Sequence, residues 1–118
     1  MAKIDWHRDV DGYSDEGERA KRAFHREAKA RLKKLAADLG LTPGTFDLRT
    51  NLAGPASRGE TTLHGERIYV QVGGLMNQIM IRTCNGRKDY TGGHNNFANI
   101  GQLDHPSVLA FLVKGIMG

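Results

Sequence analysis

The sequence predicts an α+β fold: a long N-terminal basic helix, an antiparallel β-meander of four to five strands, and a short C-terminal helix packed on the same sheet face. Three observations carry that prediction. Apolar residues recur every three or four positions between 15 and 39, the period drops to two after Thr42-Pro43-Gly44, and a second helical pattern opens at Pro106. With 118 residues, the chain has the usual size of one domain, and folding should hide about two-thirds of the extended surface. Residues 1–118 are therefore expected to form a single unit, with 1–13 flexible.

The first helix is predicted over 15–39. Ser14 is a suitable N-cap, Asp15, Glu16 and Glu18 place negative charge in the first turn, and Gly40 provides a left-handed stop. Ala20, Phe24, Ala28, Leu32, Leu35 and Leu39 make its apolar stripe. Charge is concentrated here. The net +4 resolves into −4 over residues 1–18 (two cations, six acids), +7 over 19–37 (eight cations, one acid) and +1 over the remainder (seven cations, six acids).

The sheet is predicted over 45–91. Phe46 and Leu48 alternate with Asp47 and Arg49; Thr61 and Leu63 with Thr62 and His64; Ile68, Val70 and Val72 with Arg67, Tyr69 and Gln71. Such alternation implies one packed and one wet face. Gly65-Glu66 is read as a two-residue turn, and Gly73-Gly74 as the start of the next connection. Asn85-Gly86 is the preferred pair for a type I′ hairpin, since both positions need positive φ. That hairpin would oppose Arg82 to Asp89, Met80 to Thr91 and Ile81 to Tyr90. Thr91 to Asn96 then reads as a polar loop. The last helix is predicted over 106–117, Pro106 suiting its first position and Val108, Leu109, Leu112, Val113 and Ile116 forming its apolar face, with Phe111 beside it.

Glycine is overrepresented, at 15 residues or nearly twice the ordinary share of about 7%, which implies many tight turns. The single cysteine, Cys84, excludes an internal disulfide and fits a reducing compartment. No run of 18 apolar residues occurs. A cytoplasmic protein without a membrane partner is the expectation.

Three surfaces are candidates for function. Arg22, Arg26, Lys29, Lys33 and Lys34 on the basic helix could track phosphates, each contact releasing counterions; the plainer reading is a solvated face. Arg49, Arg67, Tyr69, Arg82 and Arg87 on the outer sheet face suit a protein or nucleic-acid partner, although a base-stacking sheet ordinarily carries two or three aromatics. The 87–96 loop, with Arg87, Lys88, His94 and Asn95 around Gly92-Gly93, could cradle an anion or simply make a turn. Cys84 beside Arg82 and Arg87 could be an activated thiol, with His64 or His94 as base, but a strand cysteine is more often packed. The five histidines show no metal-ligand spacing, and no cofactor motif is present.

These features predict a non-catalytic binding protein that engages nucleic acid or a nucleic-acid-binding protein complex. The alternatives are a protein-only interaction module, such as a small mobile-element-encoded inhibitor of a host complex, and an enzyme or binder for a phosphate-bearing small molecule at the 87–96 loop. A homodimer is also open.

Overall fold

In element order the chain runs α1 (Asp15–Asp38), β1 (Asp47–Asn51), β2 (Glu60–His64), β3 (Ile68–Leu75), β4 (Gln78–Thr83), β5 (Asn96–Asn99), a 3-10 turn (Ile100–Asp104) and α2 (Pro106–Met117). The computed structural model describes residue 6 and residues 13–54, 58–75, 77–86 and 94–117. The five strands form one antiparallel sheet in the order β1-β2-β3-β4-β5, and both helices contact it. The architecture is the α+β arrangement expected.

The ends of α1 follow from local chemistry. Ser14 Oγ accepts from the Gly17 amide at 2.9 Å, filling one of the donors left open at a helix start. At the other end Gly40, with φ +74°, lets its amide reach Ala37 O while Leu41 N reaches Ala36 O, both at 3.0 Å. This is the paired closure of a Schellman stop, and it requires the left-handed conformation that glycine adopts without strain.

Cross-strand registers define the two faces of the sheet. Leu48, Leu63, Val70 and Ile81 form one inward row, and Thr50, Thr61, Val72 and Ile79 the next. Against them pack Phe24, Ala28, Leu32, Leu35 and Ala36 of α1, Ile100 and Leu103 of the 3-10 turn, and Leu109, Ala110 and Val113 of α2. Trp6, from the stretch expected to be flexible, is buried against Phe24, with ring centroids 5.7 Å apart.

The connections depart from the sequence reading in three places. His64 pairs with Tyr69 and Gly65 N donates to Ile68 O at 2.8 Å, so the turn residues are Glu66-Arg67 and not Gly65-Glu66. Both charged side chains thereby stay exposed, while buried Gly65 sits against Ile68. Gly73 lies within β3, at a register shift between Val72 and Leu75, instead of ending it. Its φ is +99°, and a Cβ at this position would stand 2.8 Å from Gly59 O, so no side chain fits.

The third departure is the largest. Asn85-Gly86 does not form a type I′ hairpin: Ala53 is the only described non-glycine residue with positive φ, and Gly86 does not have it either. Ile81 pairs with Asn96 and Met80 with Phe97, not with Tyr90 and Thr91. The partner of β4 therefore begins at the last residue of the predicted loop and runs through Phe97, Ala98 and Asn99, for which no strand was predicted. Asp89, the expected partner of Arg82, lies outside the described residues. The stretch after Gly86 is followed by Asn96-Phe97-Ala98-Asn99, whose Ala98 joins the apolar core. Of that strand only Ala98 is partly buried, so the pairing is carried by the backbone ladder to β4 together with this one core contact.

Candidate functional site

The basic helix divides its cations between structure and surface. Lys21 is buried, and its Nζ donates to Gly54 O at 3.0 Å. Arg31 turns toward the C-terminal half, 3.7 Å from Asp104. Two of the eight cations counted between 19 and 37 are thus taken up by the fold. Arg19, Arg22, Arg26, Lys29, Lys33 and Lys34 are exposed. Arg22 pairs with Glu18 at 3.0 Å and Lys34 with Asp38 at 2.6 Å, each one helical turn apart. Among the described residues, Arg19, Arg26, Lys29 and Lys33 have no carboxylate partner.

At about 100° per residue, Arg19, Arg22, Arg26, Lys29 and Lys33 fall within an arc of about 80° and extend over about 21 Å of helix axis. Asp15, in the first turn, is the one carboxylate of α1 on that arc. Lys34 lies off it, beside Asp38. The helix therefore presents a straight ridge of positive charge, because the spacing 4-3-4 between residues 22, 26, 29 and 33 matches the helical repeat.

The opposite side of α1 holds a residue that the sequence reading did not single out. His25 is buried, its ring sandwiched by hydrogen bonds: Nε2 donates to Arg58 O at 2.6 Å and Nδ1 accepts from the Thr61 hydroxyl at 2.7 Å. Burial, together with the charges of Lys21 and Arg58, outweighs the backbone bond and holds its pKa below the ordinary value of 6.5. The neutral ring pins the segment before β2 to the helix. The signal was present in the spacing, since Lys21, His25, Ala28 and Leu32 also follow a 4-3-4 pattern, but the polar residue types concealed it.

The outer sheet face carries two rows, Asp47-His64-Tyr69-Arg82 and Arg49-Thr62-Gln71-Met80-Phe97. Asp47, Arg49, His64, Tyr69, Gln71 and Arg82 lie on the face the alternation assigns them, Arg67 lies in a turn, and the expected wetness fails at Tyr69. Tyr69 is only 8% exposed, with His64 packed edge-on at 5.0 Å and the Arg82 guanidinium 4.7 Å above its ring. Its hydroxyl donates to Gln71 Oε1 at 3.3 Å, and Gln71 Nε2 donates to Glu60 at 2.9 Å. Tyr69 and half-buried Arg82 are therefore parts of a stacked cluster and not free anchors. Buried His64 donates from Nε2 to Gly86 O at 3.0 Å and packs edge-on against Tyr69, so it is a member of the packed cluster.

Arg49 and Arg67 remain exposed, but they are separated: Arg49 lies on edge strand β1, lining a shallow groove with Asn51, Glu60, Thr62 and Tyr69, whereas Arg67 is at the tip of the β2-β3 turn. His94 and Asn95 are exposed ahead of β5. Arg87 and Lys88, with Gly92 and Gly93, lie outside the described residues. Phe97, not considered from the sequence, is a second aromatic on this face and is 49% exposed. It escaped notice because it lies just past the predicted 91–96 loop, where no strand was predicted.

Cys84 is buried and its thiol donates to Gly65 O at 3.3 Å, with its amide on Arg67 O at 3.0 Å. It closes the β3-β4 end of the sheet. Among the described residues no group of His, Cys, Asp and Glu could hold a metal ion, and no helix is long and apolar enough to cross a membrane. Compared with protein-family models, with curated proteins and with solved structures, the chain matches none of them.

Proposed function

We propose that this protein is a non-catalytic nucleic-acid-binding domain that uses α1 as its contact surface. The observation that supports this reading is the ridge formed by Arg19, Arg22, Arg26, Lys29 and Lys33, exposed together on one side of a helix whose opposite side is anchored in the core. A row of cations on an already ordered helix meets the phosphates of a nucleic-acid strand without folding of its backbone, and released counterions supply the driving force. Such contacts position a protein without reading bases. Binding is accordingly expected to be tolerant of sequence and steep in salt. A retardation assay with duplex and single-stranded probes tests it: a shift at low salt that disappears when Arg26, Lys29 and Lys33 are replaced by Glu supports the reading, and no shift at low salt overturns it.

A second reading, interaction with a protein, is favoured by a different observation. The helix α2 exposes Val108, Phe111 and Leu112 to solvent. Nucleic-acid phosphates offer such side chains nothing.

A further inference from the structure

The helix α2 is apolar on two faces. One buries Leu109, Ala110 and Val113 against the sheet and α1. The other carries Val108 at 55%, Phe111 at 82% and Leu112 at 38% exposure, which contradicts the expectation that Val108 and Leu112 belong to the core-facing stripe. Positions 108, 111, 112 and 115 follow the i, i+3, i+4, i+7 pattern of a helical contact surface. Position 115 is glycine, with no atom within 4 Å of where a Cβ would stand. A glycine inside a helix lowers stability by about 0.5–1 kcal/mol relative to Ala, and no described residue packs into the notch it leaves. Beside this stripe runs a groove of about 360 Å³ between α1 and α2, lined by Lys34, Asp38, Ser107, Ala110, Phe111 and Lys114.

We propose that this groove and the outer face of α2 dock an acidic amphipathic α-helix of a partner protein, with Phe111 as its central anchor. Charge selects the occupant. The lining contains two cations and one carboxylate, and that carboxylate, Asp38, is already held by Lys34 at 2.6 Å, so Lys114 carries the surplus. A second copy of this chain would bring the same surplus of positive charge to the contact, an unfavourable juxtaposition. A lipid surface would reach the convex stripe of Val108, Phe111 and Leu112 but would leave the groove beside it unfilled. A helix with its own apolar stripe flanked by Glu or Asp fits both the concavity and the charge, in the helix-in-groove mode. This inference does not depend on the nucleic-acid reading, since it uses neither the ridge nor its cations.

The test uses a fluorescein-labelled synthetic peptide of about 18 residues, long enough to form a helix, with Leu at i, i+3, i+4 and i+7 and Glu on the flanks. A control peptide has each Glu replaced by Lys. Anisotropy titration with the full chain should show saturable binding of the Glu peptide and much weaker binding of the Lys peptide. Phe111→Ser should weaken binding at least tenfold, and Lys114→Glu should reverse the preference between the two peptides. Both side chains are exposed, so thermal unfolding of the variants should match the parent. Absence of binding, equal binding of the two peptides, or binding insensitive to Phe111 overturns the proposal. So does self-association in analytical ultracentrifugation, or capture by phosphatidylcholine-phosphatidylglycerol vesicles, that Phe111→Ser abolishes.

Discussion

Replacing Arg26, Lys29 and Lys33 together by Ala removes the middle of the α1 ridge while leaving its packed side untouched. All three side chains are exposed and, among the described residues, free of carboxylate partners. Alanine has the highest helix propensity, so the fold should change by no more than about 0.5 kcal/mol. The effect on binding is read from salt dependence. If all five ridge cations contact duplex phosphates, the slope of log K against log salt should be about −4.5, at about 0.9 per contact, and the triple variant should retain about −1.8. Raising salt from about 50 to 200 mM then weakens the parent about 500-fold but the variant only about 12-fold. Anisotropy titration on a duplex of about 20 base pairs, roughly three times the ridge length at 3.4 Å per pair, measures both slopes. A slope unchanged in the variant would mean that phosphates are bound elsewhere, and the ridge would be an ordinary solvated surface.

Other predictions concern the fold. Gly73→Ala should destabilise the protein by at least about 2 kcal/mol, because a Cβ there meets Gly59 O and the Phe24 ring at a φ of +99°, whereas Gly86→Ala, with open space around it, should cost less than about 0.5 kcal/mol. Equal urea midpoints for the two variants would refute the packing argument. His25 has its pKa lowered by burial, so the unfolded chain takes up a proton that the folded chain refuses as pH falls below about 6.5; stability should decline there by up to about 1.4 kcal/mol per pH unit. His25→Gln should flatten that decline between about pH 7.5 and 5.5, and an unaltered decline would assign it to other groups. Cys84, buried with its thiol on Gly65 O, should react with a thiol reagent only at the rate of unfolding, so prompt labelling of the native protein would contradict its placement.

Much of this architecture was legible because it rests on periodicity. The change from helical to alternating spacing after Pro43 located the sheet, and the inward set Leu63, Val70, Val72, Ile79 and Ile81 followed from counting alone. The concentration of cations on α1 was legible from composition, but the ridge was not, because Lys34 belongs with Asp38 and Lys21 and Arg31 with the fold. What failed depended on competition between distant groups. Asn85-Gly86 satisfies a local turn rule, but β4 pairs with 96–99, where Ala98 packs on the core, and no local pattern reveals that. Tyr69 was correctly placed on the outer face, yet its burial arises from His64 and Arg82, which reach it across neighbouring strands. The two apolar faces of α2 merge into one in the sequence because composition cannot distinguish a stripe that meets the sheet from one that meets solvent. Lys21 and His25 were hidden within the buried stripe by their polarity, although each has a backbone carbonyl to receive its proton.

The strand order of the sheet repeats the order of the chain, and this has a kinetic meaning. Each hairpin closes a short loop at little entropic cost, so β1 to β4 can assemble by successive local steps. The contacts of high sequence separation are those that bring α2 and the 3-10 turn back to α1, including the approach of Asp104 to Arg31. The rate-limiting search should therefore be the return of the last quarter of the chain to the first helix. Until it is complete, α1 can rest on β1 and β2 with its basic ridge already outward, while the seam beside Leu32 and Leu35 remains open. Mutations in that seam should slow folding or speed unfolding according to how early it forms, whereas changes along the ridge should leave both rates as they are.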